Sequence, residues 1–302
     1  VDHTTLDIFC VVAAELSVTR AARRLGRVQS NVTTRIQQLE EELGVALFRR
    51  DGNRLTLSTE GERFLGYANR MLALADEARQ VLAPQAPSGT LRIGTMESTA
   101  AARLPGPLAA LHVQYPDVQL RISTAPSRQL LEQVGSGLVD CAFAALPPCG
   151  DMASAMDLDA AGLHGEAVFR EEILLVLPPG HGVVRKGGDV TVRSLAAFAQ
   201  GCSYRVLAEE WLGQGAALLD IQEVGSYHSM LACVAAGACV SLVPRSVLEL
   251  LREPPKFRTH VVAKVDTWLV HRKGYQTPAF NALREALTPF MSKQLSAKEK
   301  MS

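Results

Sequence analysis

The chain has 302 residues, an apolar fraction of 47%, and 31 basic against 31 acidic residues, so its formal charge is zero. That length exceeds one typical domain and allows a sizeable core, and the balanced charge means that any affinity for nucleic acid must come from a local patch. No apolar run is long enough to span a bilayer and the N-terminus has no basic-then-apolar leader, so a cytoplasmic chain with no membrane partner is expected. Six cysteines (Cys10, Cys141, Cys149, Cys202, Cys233, Cys239) lie without metal-ligand spacing. Most should be small buried hydrophobes, and neither a metal nor a cofactor is expected.

The first predicted helix covers 5–14, with Leu6, Phe9, Cys10 and Ala13 on one face. Two short helical patterns joined by Gly26 follow, the first capped by Ser17 or Thr19, with Ala21, Ala22 and Leu25 small enough to pack closely. In the second, over 28–43, Val32, Ile36, Leu39 and Leu43 recur at intervals of four, three and four and define one buried stripe. At about 100° per residue, Ser30, Thr34 and Gln37 point away from that stripe, flanked by Asn31, Thr33 and Gln38. These short amides and hydroxyls can exchange hydrogen bonds with base edges in a major groove, where an ordinary solvated helix would carry Glu/Lys pairs. Between Ser17 and Leu39 stand Arg20, Arg23, Arg24, Arg27 and Arg35 and no acid, a local patch suited to phosphate. The geometry is that of a helix-turn-helix. LFRRDGNRLTLS then alternates around Asp51-Gly52-Asn53, a hairpin signal that places Arg49, Arg50 and Arg54 near a tip able to follow an adjacent backbone.

The stretch AARRLGRVQSNVTTRIQQLEEELGVALFRR resembles the N-terminal signature of LysR-type transcriptional regulators. Gln29 stands where that family opens its recognition helix, Leu39-Glu40 where a Leu-Glu pair follows, and Gly44-Val45-Ala46-Leu47-Phe48-Arg49-Arg50 where the chain enters the wing. The match departs at Ser30-Asn31, commonly Pro-Ala in the family, and at Thr34, frequently Arg. Both are groove-face positions, so the operator differs from the family's usual one or Arg35 takes part of the role. The expected DNA-contacting residues are Gln29, Ser30, Asn31, Thr33, Thr34, Arg35, Gln37, Gln38, Arg20, Arg23, Arg24, Arg49, Arg50 and Arg54, and each single arginine could equally well be merely solvated. The winged helix-turn-helix is assigned to 1–58.

Over 59–82, Phe64, Ala68, Met71, Ala75, Ala78 and Leu82 form a heptad seam on a helix roughly 36 Å long. Pairing with the same helix of a second chain would bury it, so a homodimer or homotetramer reading a two-half-site operator is expected. Packing of the helix on its own C-terminal domain is the alternative, which a hinge at 84–89 argues against.

From 90 onward short apolar strands alternate with helices, the pattern of a mostly parallel α/β sheet. The predicted elements are a strand at 91–95, a helix at 101–115, a strand at 118–124, a helix at 129–136 and a strand at 139–144, interrupted at Pro147, Pro148 and Gly150. A second set covers 172–177, 192–199, 204–211, 219–224, 229–236, 240–243 and a helix at 245–251. The segments 266–272 and 278–291 close it, before a polar tail at 293–302. This half is similar to the periplasmic-binding-protein-like effector domain of the same family, with lobe one at about 90–163 and 268–292 and lobe two at about 164–267. The expected fold is therefore α/β with an N-terminal all-α winged helix-turn-helix, a long linker helix and a two-lobed effector domain.

Ligands of such sheets sit at the carboxyl ends of strands, beside helix N-termini. The loops there put forward Glu97, Ser98, Thr99, Thr124, Ser127, Cys202, Ser203, Tyr204, Tyr227 and His228 for a small-molecule effector. The resemblance implies a small organic effector, commonly a carboxylate, and RNA polymerase as a further partner. Glu97 opposes that chemistry, because a carboxylate attracts an amine, and tyrosines supply cation-π faces. CSYR and SYHSMLACVAAGACVSLVPRS are similar to regulators of putrescine utilisation within the family, which points to a diamine. Alternatively Glu97 only caps a helix or pairs with Arg103 or Arg205. Cys202 beside Arg205 could have a lowered pKa and sense oxidation, and His228 could be a mere hydrogen-bond partner. No G-x-S-x-G, G-x-G-x-x-G or H-E-x-x-H sequence supports an enzyme, and a solute-binding protein would account for the C-terminal half alone. The expected mechanism is two-state: effector binding changes lobe closure, subunit packing and the spacing of the paired heads.

Overall fold

A computed structural model describes residues 1–52, 54–82, 86–146, 158–213, 220–253 and 255–299. Asn53 of the expected turn, part of the 84–89 hinge, the interruption at 147–150 with Cys149, Leu219 and the last three residues lie outside the described residues. The chain divides into two compact units, one of 1–83 with 136–138 and the other of 84–135 with 139–302.

In the first unit, α1 (His3–Glu15) and α2 (Val18–Leu25) pack with α3 (Gln29–Leu43). The buried face of α1 is Leu6, Ile8, Phe9, Val12 and Ala13, and Cys10 lies at its edge. Ser17 caps α2 by accepting the Arg20 N–H, and Gly26 ends it in the left-handed region. Val32, Ile36 and Leu39 of α3 are buried as the stripe requires, with Leu43 partly buried beside them. The Leu-Glu…Leu-Phe spacing then has a physical cause. Gly44, at φ 70°, turns the chain back, and the Glu40 carboxylate accepts the N–H groups of Leu47 (2.7 Å) and Phe48 (3.0 Å). Phe48 meets Phe9 at 5.5 Å between ring centres, which anchors the start of the hairpin β1 (Phe48–Asp51) and β2 (Arg54–Leu57). Its register pairs Asp51 with Arg54, so the turn is two residues long.

The helix α4 (Thr59–Leu82) has the predicted bounds. Ser58 caps it by accepting the Gly61 N–H, and a Cβ on Gly61 would sit 2.0 Å from the Leu47 carbonyl oxygen, so only glycine lets the helix approach. The seam needs correction. Phe64 and Ala68 belong to the core of this unit, with Phe64 5.1 Å from Phe9. Ala75 is half-buried, and only Met71, Ala78 and Leu82 of the expected six are exposed. The uncovered apolar row is instead Tyr67 (62% exposed), Met71 (43%), Leu74 (65%), Ala78 and Val81 (58%), spaced four, three, four and three. The helix is apolar on two faces, and α1 takes one of them.

The second unit is built on a six-stranded sheet in the order β4-β3-β5-β10-β6-β9. β3 (Gly89–Thr95) pairs in parallel with β4 (Val118–Thr124) and β5 (Cys141–Ala145). β6 (Leu163–Leu177) and β10 (Arg258–Arg272) are fifteen-residue antiparallel strands, and β10 is also antiparallel to β5, as β6 is to β9 (Ser241–Pro244). A further pair, β7 (Ser194–Ala197) and β8 (Asp220–Glu223), is parallel. The expectation of a mostly parallel sheet is thus wrong: three of these six pairings are antiparallel, because the two long strands run through both lobes. Their halves at 163–171 and 258–265 extend the predicted segments 172–177 and 266–272, and neither alternates cleanly enough to announce a strand.

Helices α5 (Glu97–Ala102) and α6 (Pro105–Gln114) replace the single helix expected at 101–115, the break falling before Pro105, whose ring occupies the first position of α6. α7 (Ser127–Gly135), α8 (Ser203–Gly213) and α9 (Tyr227–Ala235) each begin within two residues of the predicted start, and a single helical turn, Arg245–Leu248, is shorter than expected. The last helix, α10 (Pro278–Glu299), continues through most of the segment expected as a tail. One core joins β3, β5 and β10 to α6 and α10, and the others lie beneath α7, α8 and α9.

Candidate DNA-binding surface and effector cavity

In the N-terminal unit the α3 face is set by its packing stripe. Gln29, Ser30, Asn31, Thr34, Arg35, Gln37 and Gln38 are exposed. Thr33 is not fully so, and its hydroxyl donates to the Gln29 carbonyl (3.0 Å), leaving it turned toward its own helix. The Thr19 hydroxyl donates to Gln29 Oε1 (3.1 Å), which orients that side chain. No side chain caps the first turn of α3, where the Val28 carbonyl accepts the Asn31 N–H (3.1 Å) and the Val32 N–H (3.3 Å). Among the arginines, Arg20 and Arg24 reach back to Glu15, an acid just outside the basic stretch, and Arg35 lies 3.8 Å from Asp2 and Arg49 3.8 Å from Glu60. Arg23, Arg27, Arg50 and Arg54 have no ion pair among the described residues. A groove of about 640 Å³ runs between the starts of α2 and α3 and the hairpin. Arg20, Arg50 and Arg54 line it with Ser17, Thr19 and Gln29, and none of the lining residues described is an acid.

In the C-terminal unit the ends of four parallel strands converge. The loops leaving β3, β4, β7 and β8 enclose a cavity of about 250 Å³ lined by Met96, Glu97, Ser98, Thr124, Ala125, Pro126, Ser127, Phe198, Ala199, Cys202, Tyr204, Val224, Gly225 and Tyr227. Seven of the ten expected effector residues are there. Thr99 is buried behind the wall, and Ser203 is held by donating to the Ala145 carbonyl (2.7 Å), which fastens the start of α8 to β5. His228 lines a separate recess of about 30 Å³ on the far side of Glu97, with Ala101, Leu231 and Val247. Phe198, Ala199, Val224 and Gly225 were missed. They begin the loops after β7 and β8, and the predicted elements at 192–199 and 219–224 run past the observed strand ends into these loops.

Glu97 is the only acidic or basic side chain among the described residues lining the cavity, which include neither lysine nor arginine. Both arginines proposed as its partners are engaged elsewhere. Arg103 grips Glu171 (2.5 and 3.1 Å), which also accepts from Ser246 (2.8 Å). Arg205, 9% exposed, binds Glu209 (2.9 Å), Glu223 (3.2 Å) and the Phe198 carbonyl (3.2 Å). Glu97 Oε2 is buried and has no hydrogen-bond partner. Burial therefore raises the Glu97 carboxyl above its usual range, and the Tyr227 N–H and His228 only partly offset it. Burial also pushes the Cys202 thiol up, against the lowering expected from Arg205, so Cys202 is a poor thiolate rather than an activated one. Tyr204 and Tyr227 are raised by burial as well and stay protonated, as hydrogen-bond donors. Tyr227 packs edge-on against Phe198 at 5.0 Å, and these rings with Tyr204 give the cavity aromatic walls.

A winged helix-turn-helix head and a two-lobed domain closing on a strand-end cavity define a DNA-binding regulator with a sensory domain. Comparison with known proteins agrees for both halves. Residues 3–62 match the bacterial regulatory helix-turn-helix protein, lysR family, and residues 84–292 match the LysR substrate binding domain. The chain is 34% identical to the HTH-type transcriptional regulator GltR of Bacillus subtilis over 284 residues, 92% of this chain and 93% of that protein. It is also 34% identical to the HTH-type transcriptional regulator CzcR of Bacillus thuringiensis over 289 residues, 93% of this chain and 94% of that one. In fold it is similar to CbnR solved with its target DNA (TM-score 0.63, 23% identity, 96% and 99% of the two chains). Full-length OxyR from Pseudomonas aeruginosa is another such likeness (TM-score 0.69, 20% identity, 95% and 94%). The chain belongs to the LysR-type transcriptional regulators, which bind DNA and are not enzymes. Among the described residues no helix is long and apolar enough to cross a membrane.

Proposed function

We propose that this regulator binds a two-half-site operator as a dimer or a dimer of dimers and releases or reshapes it when a small cationic amine enters the cavity. On DNA, α3 presents Ser30, Asn31, Thr34, Gln37 and Gln38 to base edges, while Arg50, Arg54 and Arg20 of the groove beside it hold a phosphate strand. The second protomer pairs along Tyr67, Met71, Leu74, Ala78 and Val81, which keep heptad spacing and are exposed in the single chain. Amine binding draws the lobes together across β6 and β10 and resets the spacing of the two heads.

The observation that carries the effector reading is the buried Glu97 Oε2, which has no hydrogen-bond partner, on a cavity with no lysine or arginine among its described lining residues to receive a carboxylate. Footprinting on an operator selected from random duplex, with and without a series of small mono- and diamines and a dicarboxylate, tests it: the footprint changes with at least one amine and not with the acid. On DNA, Arg50→Ala should weaken binding to all sequences and lower the salt slope by about one. Thr34→Ala or Gln37→Ala should instead relax discrimination at one or two base pairs, by about 1–3 kcal/mol each. The reverse pattern would reassign the faces of α3.

A further inference from the structure

We infer that the effector carries one ammonium group on an apolar body, so that a monoamine of arylalkyl type fits the cavity and a diamine or an amino acid does not. This rests on the amine reading above and narrows it. A diamine needs two acceptors, and the cavity has a single carboxylate, Glu97. The other polar side chains of its described lining, Ser98, Thr124, Ser127, Tyr204 and Tyr227, are uncharged, and the Ser127 hydroxyl is engaged, donating to Met96 Sδ (3.3 Å) and accepting the Ala145 N–H (3.2 Å). A second ammonium would therefore meet neutral groups alone and lack a counter-charge, which is costly away from water. An amino acid fails for the opposite reason. Its carboxylate would need a cation, and Arg103 and Arg205 are each bound to carboxylates of the protein.

Size and shape favour an aromatic body. A dry cavity of about 150 Å³ takes a benzene ring, and the present one, at about 250 Å³, adds room for a short alkylamine arm. Phe198, Tyr204 and Tyr227 supply ring surfaces for edge or face contact with such a body and for cation-π contact with its ammonium. The recess behind Glu97, lined by His228 with Leu231, Val247, Leu250 and Leu251, is too small for more than one or two heavy atoms, so the ammonium reaches the carboxylate from the main cavity.

Calorimetry on the full-length protein at pH 8 with phenethylamine, putrescine and 3-phenylpropionate tests this. Phenethylamine should bind at least tenfold more tightly than putrescine, and phenylpropionate should not bind. Glu97→Gln should weaken phenethylamine at least tenfold and leave the neutral analogue 2-phenylethanol within threefold, and thermal unfolding of the variant verifies that it is folded. Tighter binding of putrescine than of phenethylamine would overturn the single-charge inference and leave the amine reading standing. Binding of phenylpropionate, or of no amine, would overturn both. The three-ligand comparison uses the unaltered chain, so it decides the matter even if the variant does not fold.

Discussion

The two units treat their arginines in opposite ways. In the N-terminal unit Arg20, Arg24 and Arg49 are 59–64% exposed, their ion pairs lie at the surface, and Arg50 and Arg54 have none among the described residues. In the effector unit, Arg103 and Arg205 are largely buried, and each is locked by carboxylates at hydrogen-bonding distance. Surface pairs contribute little and exchange readily for phosphate, whereas breaking a buried pair leaves an uncompensated charge. The head thus keeps cations for a long polyanion. Around the cavity the cations are cancelled, which leaves one carboxylate as the discriminating charge. A net charge of zero conceals two sites of opposite sign.

That contrast is broken most severely by separating the protomers, because phosphate contacts that are weak singly act together only when two heads are linked. Leu74→Asp places a charge in the middle of the exposed row on α4. The chain should sediment as a monomer at micromolar concentration and lose operator affinity by about 100-fold or more. Ala68→Ser at the other face, which is buried against α1, should lower the melting temperature of the head and leave the association state unchanged. A dimer that survives Leu74→Asp would place the contact elsewhere.

The two faces of α4 also illustrate what the sequence could and could not disclose. Its bounds were legible to the residue, and those of the helix-turn-helix to within two, because caps, stripe and turn are local: Ser17, Gly26, Gly44 and the Glu40 carboxylate act within ten residues. Which heptad row faces out was not legible, since Phe64 and Ala68 fit a seam as well as Tyr67 and Leu74 do, and only the presence of α1 decides. The long strands failed for a related reason. Arg170 and Asp266 pair at 2.6 Å across 96 residues of sequence, and the half-exposed run from Leu163 to Arg170 has no alternation to announce it. The cavity was legible where a strand end carries a hydroxyl or an acid. Apolar walls such as Phe198 and Val224 carry no such mark.

A smaller effect sharpens the electrostatic half of the contrast. Burial raises the Glu97 carboxyl in the folded chain, so the folded state holds that proton more tightly than the unfolded one. Stability from this group is therefore retained in acid and is lost as the pH rises from the ordinary carboxylate range through the raised folded value. Glu97→Gln removes the buried charge. Its melting temperature should match the parent near pH 4 and exceed it by about 1–3 °C at pH 8. Saturating amine should close the difference by stabilising only the parent. For the same reason amine affinity should fall as the pH is lowered toward the raised Glu97 value, where the partner of the ammonium becomes neutral. A variant less stable than the parent at pH 8 would mean that Glu97 is already paired in the free protein.

The smallest effect bears on the other site and comes from two adjacent threonines. The Thr33 hydroxyl is bonded to the Gln29 carbonyl of its own helix, while the Thr34 side chain is exposed about 100° further round. Thr33→Val keeps shape and β-branching and removes only an internal bond, so operator affinity and discrimination measured by anisotropy should stay within about twofold. Thr34→Val is equally conservative in shape, yet it removes a group that faces outward, and its discrimination at one base pair should drop measurably. The pair is informative because neither substitution disturbs the buried stripe of Val32, Ile36 and Leu39. If Thr33→Val were the costly one, α3 would be rotated in the groove by one residue, and Gln29 and Gln37 would exchange roles with Asn31 and Gln38.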